Sequence, residues 1–206
     1  MQITSGKLKK MSVMTPSGDR IRPTKTGLRE AIFNIFGQDL TGYSFCDLCA
    51  GSGSVGISAI SRGAAPVCFV EKNYVVIRVL RQNLDEVERR LGSLKDVYLS
   101  EQSFSIAIER GIAYDLVYFD PPWDFYKKHK LEEYAWQKIV KPGGFLLLEH
   151  EKHYPKELTE YLGENNELKF IQTRKYGKAR LSIYEYMLEE DSEKIDKETT
   201  EDPSEE

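Results

Sequence analysis

This 206-residue chain is poor in several things. It has no apolar run near the roughly 18 residues that a membrane helix needs, which argues against a helical membrane protein. Its first residues, Met-Gln-Ile-Thr-Ser-Gly-Lys, hold no apolar signal region, so export is not expected and a cytoplasmic place is. It has three cysteines, Cys46, Cys49 and Cys68, all in or beside apolar runs, which fits reduced thiols. Cys46-x-x-Cys49 has the spacing of a redox or zinc pair, but no second pair accompanies it, so packing is expected and no metal. His150-x-x-His153 lacks a third ligand and sits in a charged segment, so it is expected on the surface. There is no internal repeat.

What is present is a soluble composition, 40% hydrophobic and 30% charged. The net charge of −4 hides an uneven distribution. Residues 189–206 carry ten acidic and two basic residues, which leaves residues 1–188 with 27 basic against 23 acidic. Seven Lys/Arg fall within residues 1–29 against the single acid Asp19, and five fall within residues 169–180 with no acid. Two basic segments on a near-neutral body fit a polyanionic partner, although two solvated faces would look the same.

Three regions follow. Residues 1–40 read as a small extension of short strands, a Pro16–Asp19 turn and a helix capped by Thr24 or Thr26. Residues 41–188 alternate apolar strands with amphipathic helices, which predicts an α/β domain with a parallel sheet. Its strands are expected at 43–48, 66–71, 96–100, 116–119 and 145–149, and its helices at 54–62, 73–90, 103–110 and 129–140. Residues 168–173 and 179–188 then read as an antiparallel hairpin at the sheet edge. Residues 189–206 read as an acidic disordered tail.

The first motif is Phe45-Cys-Asp-Leu-Cys-Ala-Gly-Ser-Gly53. Gly51 and Gly53 let backbone approach a ligand, and the following helix aims its N-terminus at the same place. Gly51, Gly53 and Gly56 also satisfy a dinucleotide fingerprint with Glu71. Asp47 favours an electropositive ligand such as S-adenosylmethionine over a pyrophosphate, which a carboxylate repels. Ala50, Ser52 and Lys72 flank these positions. Glu71 can accept ribose hydroxyls, and one of Ser100–Ser103, Gln102 among them, can reach an adenine amino group.

The second motif is Asp120-Pro121-Pro122-Trp123, straight after the apolar strand Leu116–Phe119. Proline ends a central strand, so the motif lies at a strand's C-terminal edge, where open α/β sheets bind ligands. The Asp120 carboxylate and the Pro121 carbonyl can hold the two N–H groups of an exocyclic amine. That turns the nitrogen lone pair toward a methyl donor. Trp123 offers a stacking face, and the two prolines stiffen the loop.

In this order, Asp47-x-x-x-Gly51-x-Gly53, Glu71 and Asp120–Trp123 resemble S-adenosylmethionine-dependent methyltransferases that modify exocyclic amines. Ile3–Lys7, Arg22-Pro-Thr24, Arg29–Asn34 and Ser61–Ala64 narrow the resemblance to the RsmD family, over residues 1–188. The resemblance implies a Rossmann-like seven-stranded sheet in the order 3-2-1-4-5-7-6, with strand seven antiparallel. It implies methyl transfer from S-adenosylmethionine to guanine N2 in small-subunit ribosomal RNA, free or in an assembling particle, by a monomer. Lys7, Arg22, Thr24 and Arg29 would then meet the RNA. Glu71-Lys72-Asn73 stands where members carry Glu-x-Asp. Glu101-Gln102 stands where an Asp-Ala-like pair is expected. Adenine-N6 methylation of DNA and RNA binding without catalysis are the alternatives.

Overall fold

The computed structural model describes residues 1–16, 26–122, 124–152, 162 and 167–187. Helix α1 (Thr26–Phe36) precedes a run of alternating elements: β1 (Phe45–Leu48), α2 (Ser54–Ser61), β2 (Val67–Val70), α3 (Tyr74–Leu91), β3 (Val97–Ser100), α4 (Phe104–Arg110) and β4 (Tyr114–Phe119). After α5 (Phe125–Lys128) come β5 (Val140–Glu151), β6 (Leu168–Tyr176) and β7 (Ala179–Tyr186). The seven strands form one sheet in the order β3-β2-β1-β4-β5-β7-β6. Strands β1 to β5 pair in parallel, and β7 is antiparallel to both β5 and β6. This is the strand order that the resemblance implies.

Burial explains the strands. Every residue of β1 and β2 is buried, and β4 is buried but for Asp115, so near-continuous apolar runs are needed on both faces. One face carries Phe45, Phe69, Leu116 and Tyr118 against α1, α2, α3 and residues 1–13. The other carries Cys46, Val117, Phe119 and Leu148 against Phe125, Leu131 and Trp136. Helix α3 starts at Asn73, whose side chain accepts the Val75 and Val76 amides, and stops at Gly92 in the left-handed region.

Residues 1–13 share the first core through Ile3, Leu8, Met11 and Val13. One isolated bridge, Gln2 to Ser12, stands among the described residues where short strands were expected. Gly6 fits against the end of α2, where a Cβ would lie 1.9 Å from the Ser61 carbonyl oxygen.

Three expectations are corrected. No helix spans 129–140: α5 is followed by 3₁₀ turns at Leu131–Glu133 and Trp136–Lys138. The reason is Trp136, which is buried and donates its indole N–H to the Leu131 carbonyl at 2.8 Å. An α-helix would give that carbonyl to Ala135. Strand β5 begins at Val140, not Phe145, because Gly143 and Gly144 form an irregularity within the pairing to β4. A Cβ at Gly144 would meet the Asp115 carbonyl at 2.7 Å. His150 is buried, not on the surface. Its Nε2 lies 2.9 Å from the Ser182 hydroxyl and its Nδ1 3.1 Å from the Glu151 carbonyl. His153 and the acidic tail lie outside the described residues.

Candidate active site

The strand order reverses between β1 and β4, and the two glycine- and proline-bearing motifs leave the sheet there side by side. Leu48 is level with Phe119, so Cys49 and Asp120 emerge one strand spacing apart, about 4.8 Å. Adjacent strands whose connections run to opposite sides leave a crevice at their C-terminal ends.

The glycine turn is held by backbone. The Cys49 and Ala50 amides both donate to the Val70 carbonyl, at 3.0 and 2.9 Å, and Gly53 donates to Ala50. Gly53 has φ +79°, and a Cβ there would meet Leu80 Cδ1 at 2.4 Å, so only glycine fits. Gly51 is different: a Cβ there would meet nothing within 4 Å. Its face opens on the crevice, as backbone approached by a ligand must. Ser52 is fixed from a distance by Asn83 of α3, which donates to the Ser52 and Met14 carbonyls at 2.9 Å each and accepts the Met14 amide at 2.8 Å. The sequence flagged nothing at Asn83; its one signal was an amide on the buried stripe of an amphipathic helix.

Three carboxylates gather here. Asp47 is buried under the turn and accepts the Gly56 amide at 2.8 Å. Burial lifts its pKa from 3.8 to about 8, with the charge of Glu71 adding to the rise and the Gly56 amide opposing it. Glu71 accepts the Gly51 amide at 3.0 Å through one oxygen and the Lys72 and Asn73 amides at 2.9 and 2.8 Å through the other. Burial, then the charges of Glu71, Asp120 and Asp47, push the Cys49 thiol well above its ordinary range, and Lys72 acts the other way. Neither Asp47 nor Glu71 forms an ion pair among the described residues. Glu71 and Asp120 carry negative charge beside a buried Asp47 that a cation would ionise, an arrangement that suits a cation and disfavours a pyrophosphate.

The second motif is anchored from both sides. Phe119 precedes it and Phe125 follows it, their rings edge-to-face at 5.4 Å, and Phe104 contacts both. The Tyr126 hydroxyl donates to the Glu149 carbonyl at 2.7 Å, and the Phe125 amide donates to the Pro122 carbonyl at 2.8 Å. The Pro121 carbonyl accepts no hydrogen bond from a described residue. Phe125 and Tyr126 were not singled out from sequence, though the aromatic run after the prolines was visible. Trp123 lies outside the described residues.

Other expected residues lie outside these two motifs. Gln102 lines a cavity of about 40 Å³ with Cys46, Cys68, Val70, Ser100 and Arg110. Cys46 meets Cys68, its register partner across β1 and β2, not Cys49, and their shared hydrogen bond raises the Cys46 thiol and lowers that of Cys68. The Lys7 side chain is exposed, but its amide is bonded to the Ser61 carbonyl at the far end of α2. Eight residues of helix put it about 12 Å from the glycine turn. Arg29 is corrected as an RNA contact. It is fully buried, donating to the Met1 sulfur at 2.6 Å and the Gln2 carbonyl at 2.7 Å, so no phosphate can reach it. Arg22 and Thr24 lie outside the described residues.

With this geometry in view, relatives become informative. The profile of the family described as Conserved hypothetical protein 95 matches residues 1–185. The protein YlbH of Bacillus subtilis (strain 168) is 32% identical over 195 residues, covering 89% of this chain and 98% of that one. The chain belongs to the RsmD family. Another relative, ribosomal RNA small subunit methyltransferase D of Escherichia coli (strain K12), is 29% identical over 146 residues, covering 71% of this chain and 69% of the relative. Among solved structures, a hypothetical protein of Thermus thermophilus aligns with a TM-score of 0.68 at 24% identity, covering 90% of this chain and 99% of that one. The T. thermophilus 16S rRNA N2 G1207 methyltransferase, in complex with AdoMet and guanosine, aligns with a TM-score of 0.60 at 20% identity. The match covers 82% of this chain and 44% of that one. These two likenesses establish the fold of the chain, which is that of class I methyltransferases.

Proposed function

We propose that this RsmD-family protein transfers a methyl group from S-adenosylmethionine to the exocyclic N2 of a guanine in small-subunit ribosomal RNA. The observation that carries the reading is the meeting of two half-sites at the β1/β4 crevice. One is an open glycine turn ringed by carboxylates. The other is Asp120, followed by a Pro121 carbonyl that no described residue bonds. The relatives named as ribosomal RNA methyltransferases support the substrate class.

The residues fit the cofactor. Asp47, Ala50, Gly51, Ser52 and Gly53 would line its amino-acid end, where a positive ligand meets the Asp47 carboxyl. Glu71 would accept the ribose hydroxyls, releasing the Gly51 amide as it does so, with Lys72 beside it. Gln102, half-buried just after β3, would approach the adenine. When bound, the cofactor supplies an electrophilic methyl group.

The chain's own work is on the amine. Guanine N2 is a poor nucleophile because its lone pair is delocalised into the ring. Asp120 and the Pro121 carbonyl each accept one of its N–H groups, which draws the nitrogen toward tetrahedral geometry and aims the lone pair. Pro122, locked by its ring and by the Phe125 amide, keeps these acceptors in place without ordering on binding. Trp123 would stack on the base, which must be unpaired or flipped to enter.

The test is transfer of labelled methyl groups to small-subunit ribosomal RNA, naked and in particles from cells lacking the protein. Wild type should label guanine N2. Asp120→Ala should lose at least about 100-fold in rate while binding the cofactor normally. Joint loss of cofactor binding and transfer in Asp120→Ala would assign Asp120 to the cofactor instead.

A further inference from the structure

The reading above leaves one charged cluster unused. Because β7 is antiparallel to β5, the β6–β7 hairpin turns back at the same sheet edge as Asp120. The register fixes the height. Phe119 is level with Leu148, so Asp120 is level with Glu149. Glu151, two residues further on, pairs with Ala179, and Lys175 pairs with Arg180. The hairpin tip therefore stands about 7 Å or more above the level of Asp120, at two to three strand spacings from it, about 10–15 Å.

Five cations are placed there: Lys152, Arg174, Lys175, Lys178 and Arg180. Lys152, at the end of β5, donates its amide to the Lys178 carbonyl at 2.9 Å, which ties the tip to the sheet. Arg180 braces the turn by donating to the Gly177 and Ala179 carbonyls at 3.1 and 2.8 Å. Lys152, Lys175 and Lys178 are exposed. None of the five forms an ion pair among the described residues, and the nearest acid along the strands is the half-buried Glu151. Lysine on an edge strand can serve only to block strand pairing, but Lys152 and Lys178 lie outside β6 and gain nothing from that role.

We infer that the β6–β7 hairpin tip is a phosphate-binding ledge that holds the RNA backbone flanking the target base. It is braced by backbone hydrogen bonds, stands above the catalytic edge, and presents cations that no described carboxylate neutralises. A single strand with one base drawn toward Asp120 would pass it within a few nucleotides. This rests on the proposed function for the identity of the RNA, not for the existence of the ledge.

The test is the salt dependence of binding to an unmethylated small-subunit ribosomal RNA transcript, for wild type and for Lys152→Ala/Lys175→Ala/Lys178→Ala. Each lost phosphate contact lowers the slope of log K against log salt by about 0.7 for single strands, so the triple variant should lose about 2. KM for the transcript should rise while Tm and cofactor affinity stay at wild-type values. Lys95→Ala, an exposed cation before β3 at the opposite edge, should leave the slope unchanged. A triple variant with the wild-type slope and KM overturns the ledge and leaves the methylation reading standing. A wild type that binds with the predicted slope difference but transfers no methyl group overturns the methylation reading and leaves the ledge.

Discussion

Replacing Asp47 by asparagine removes a buried carboxyl and keeps its shape, and the two consequences have opposite signs. Burial lifts the carboxyl from 3.8 to about 8. The unfolded chain holds it near 3.8, so folding at pH 7 must add a proton, at about 1.36 kcal/mol per pH unit, or about 4 kcal/mol. Stability from this group is thus fully present below about pH 4 and is lost as pH rises through about 8. Asparagine carries no such penalty and its amide oxygen can still accept the Gly56 N–H. Asp47→Asn should therefore raise stability at pH 7 by roughly 2–4 kcal/mol, or Tm by roughly 5–15 °C, in calorimetry. The same change removes the carboxyl that would ionise to face the cofactor's positive groups. Losing a charge-assisted bond weakens binding by about 1.5–3 kcal/mol, roughly 10- to 150-fold by titration calorimetry. Wild-type affinity should also tighten as pH rises toward about 8, because binding favours the ionised carboxylate, whereas the variant should be flat. A variant that melts lower than wild type, or binds the cofactor with wild-type affinity and pH dependence, would refute the reasoning.

Other expected outcomes are separate from this one. Asn83→Ala strands the Ser52 carbonyl and both Met14 backbone groups, so it should cost about 2–4 kcal/mol in denaturant unfolding and weaken cofactor binding, as read by titration. Arg29→Met should leave the salt slope of RNA binding unchanged, because Arg29 is fully buried; a drop of about 0.7 would place it on a phosphate after all. His150 is held neutral by burial, with its pKa down at about 4 from 6.5. Its contribution is present above pH 6.5 and lost as pH falls to about 4, so His150→Gln should flatten the Tm profile in that window.

Much of this was legible in the sequence because local chemistry and topology agree. The run Leu116–Phe119 ending on Asp120 and Pro121 could only be a central strand stopping at a ligand edge. Alternation of strands and helices pointed to the parallel sheet, and the short basic link near Gly177 to the hairpin. What escaped depends on contacts between distant residues. Trp136 breaks the expected 129–140 helix by taking the Leu131 carbonyl, which no helical periodicity reveals. The arginine at position 29 sits on a helix in a basic segment, and only the packing of residues 1–13 over it shows that it is structural. Glu71 read as a free ribose acceptor, yet it spans the Gly51, Lys72 and Asn73 amides. Asn83 and the Phe125–Tyr126 anchor act across elements, so their spacing carried no signal.

The most direct test of the central claim is nucleoside mass spectrometry of small-subunit ribosomal RNA from a strain lacking this gene, alone and carrying wild type or Asp120→Ala. The account predicts loss of N2-methylguanosine at one position, restored by wild type and not by Asp120→Ala. An undiminished N2-methylguanosine content in the deletion strain would contradict it.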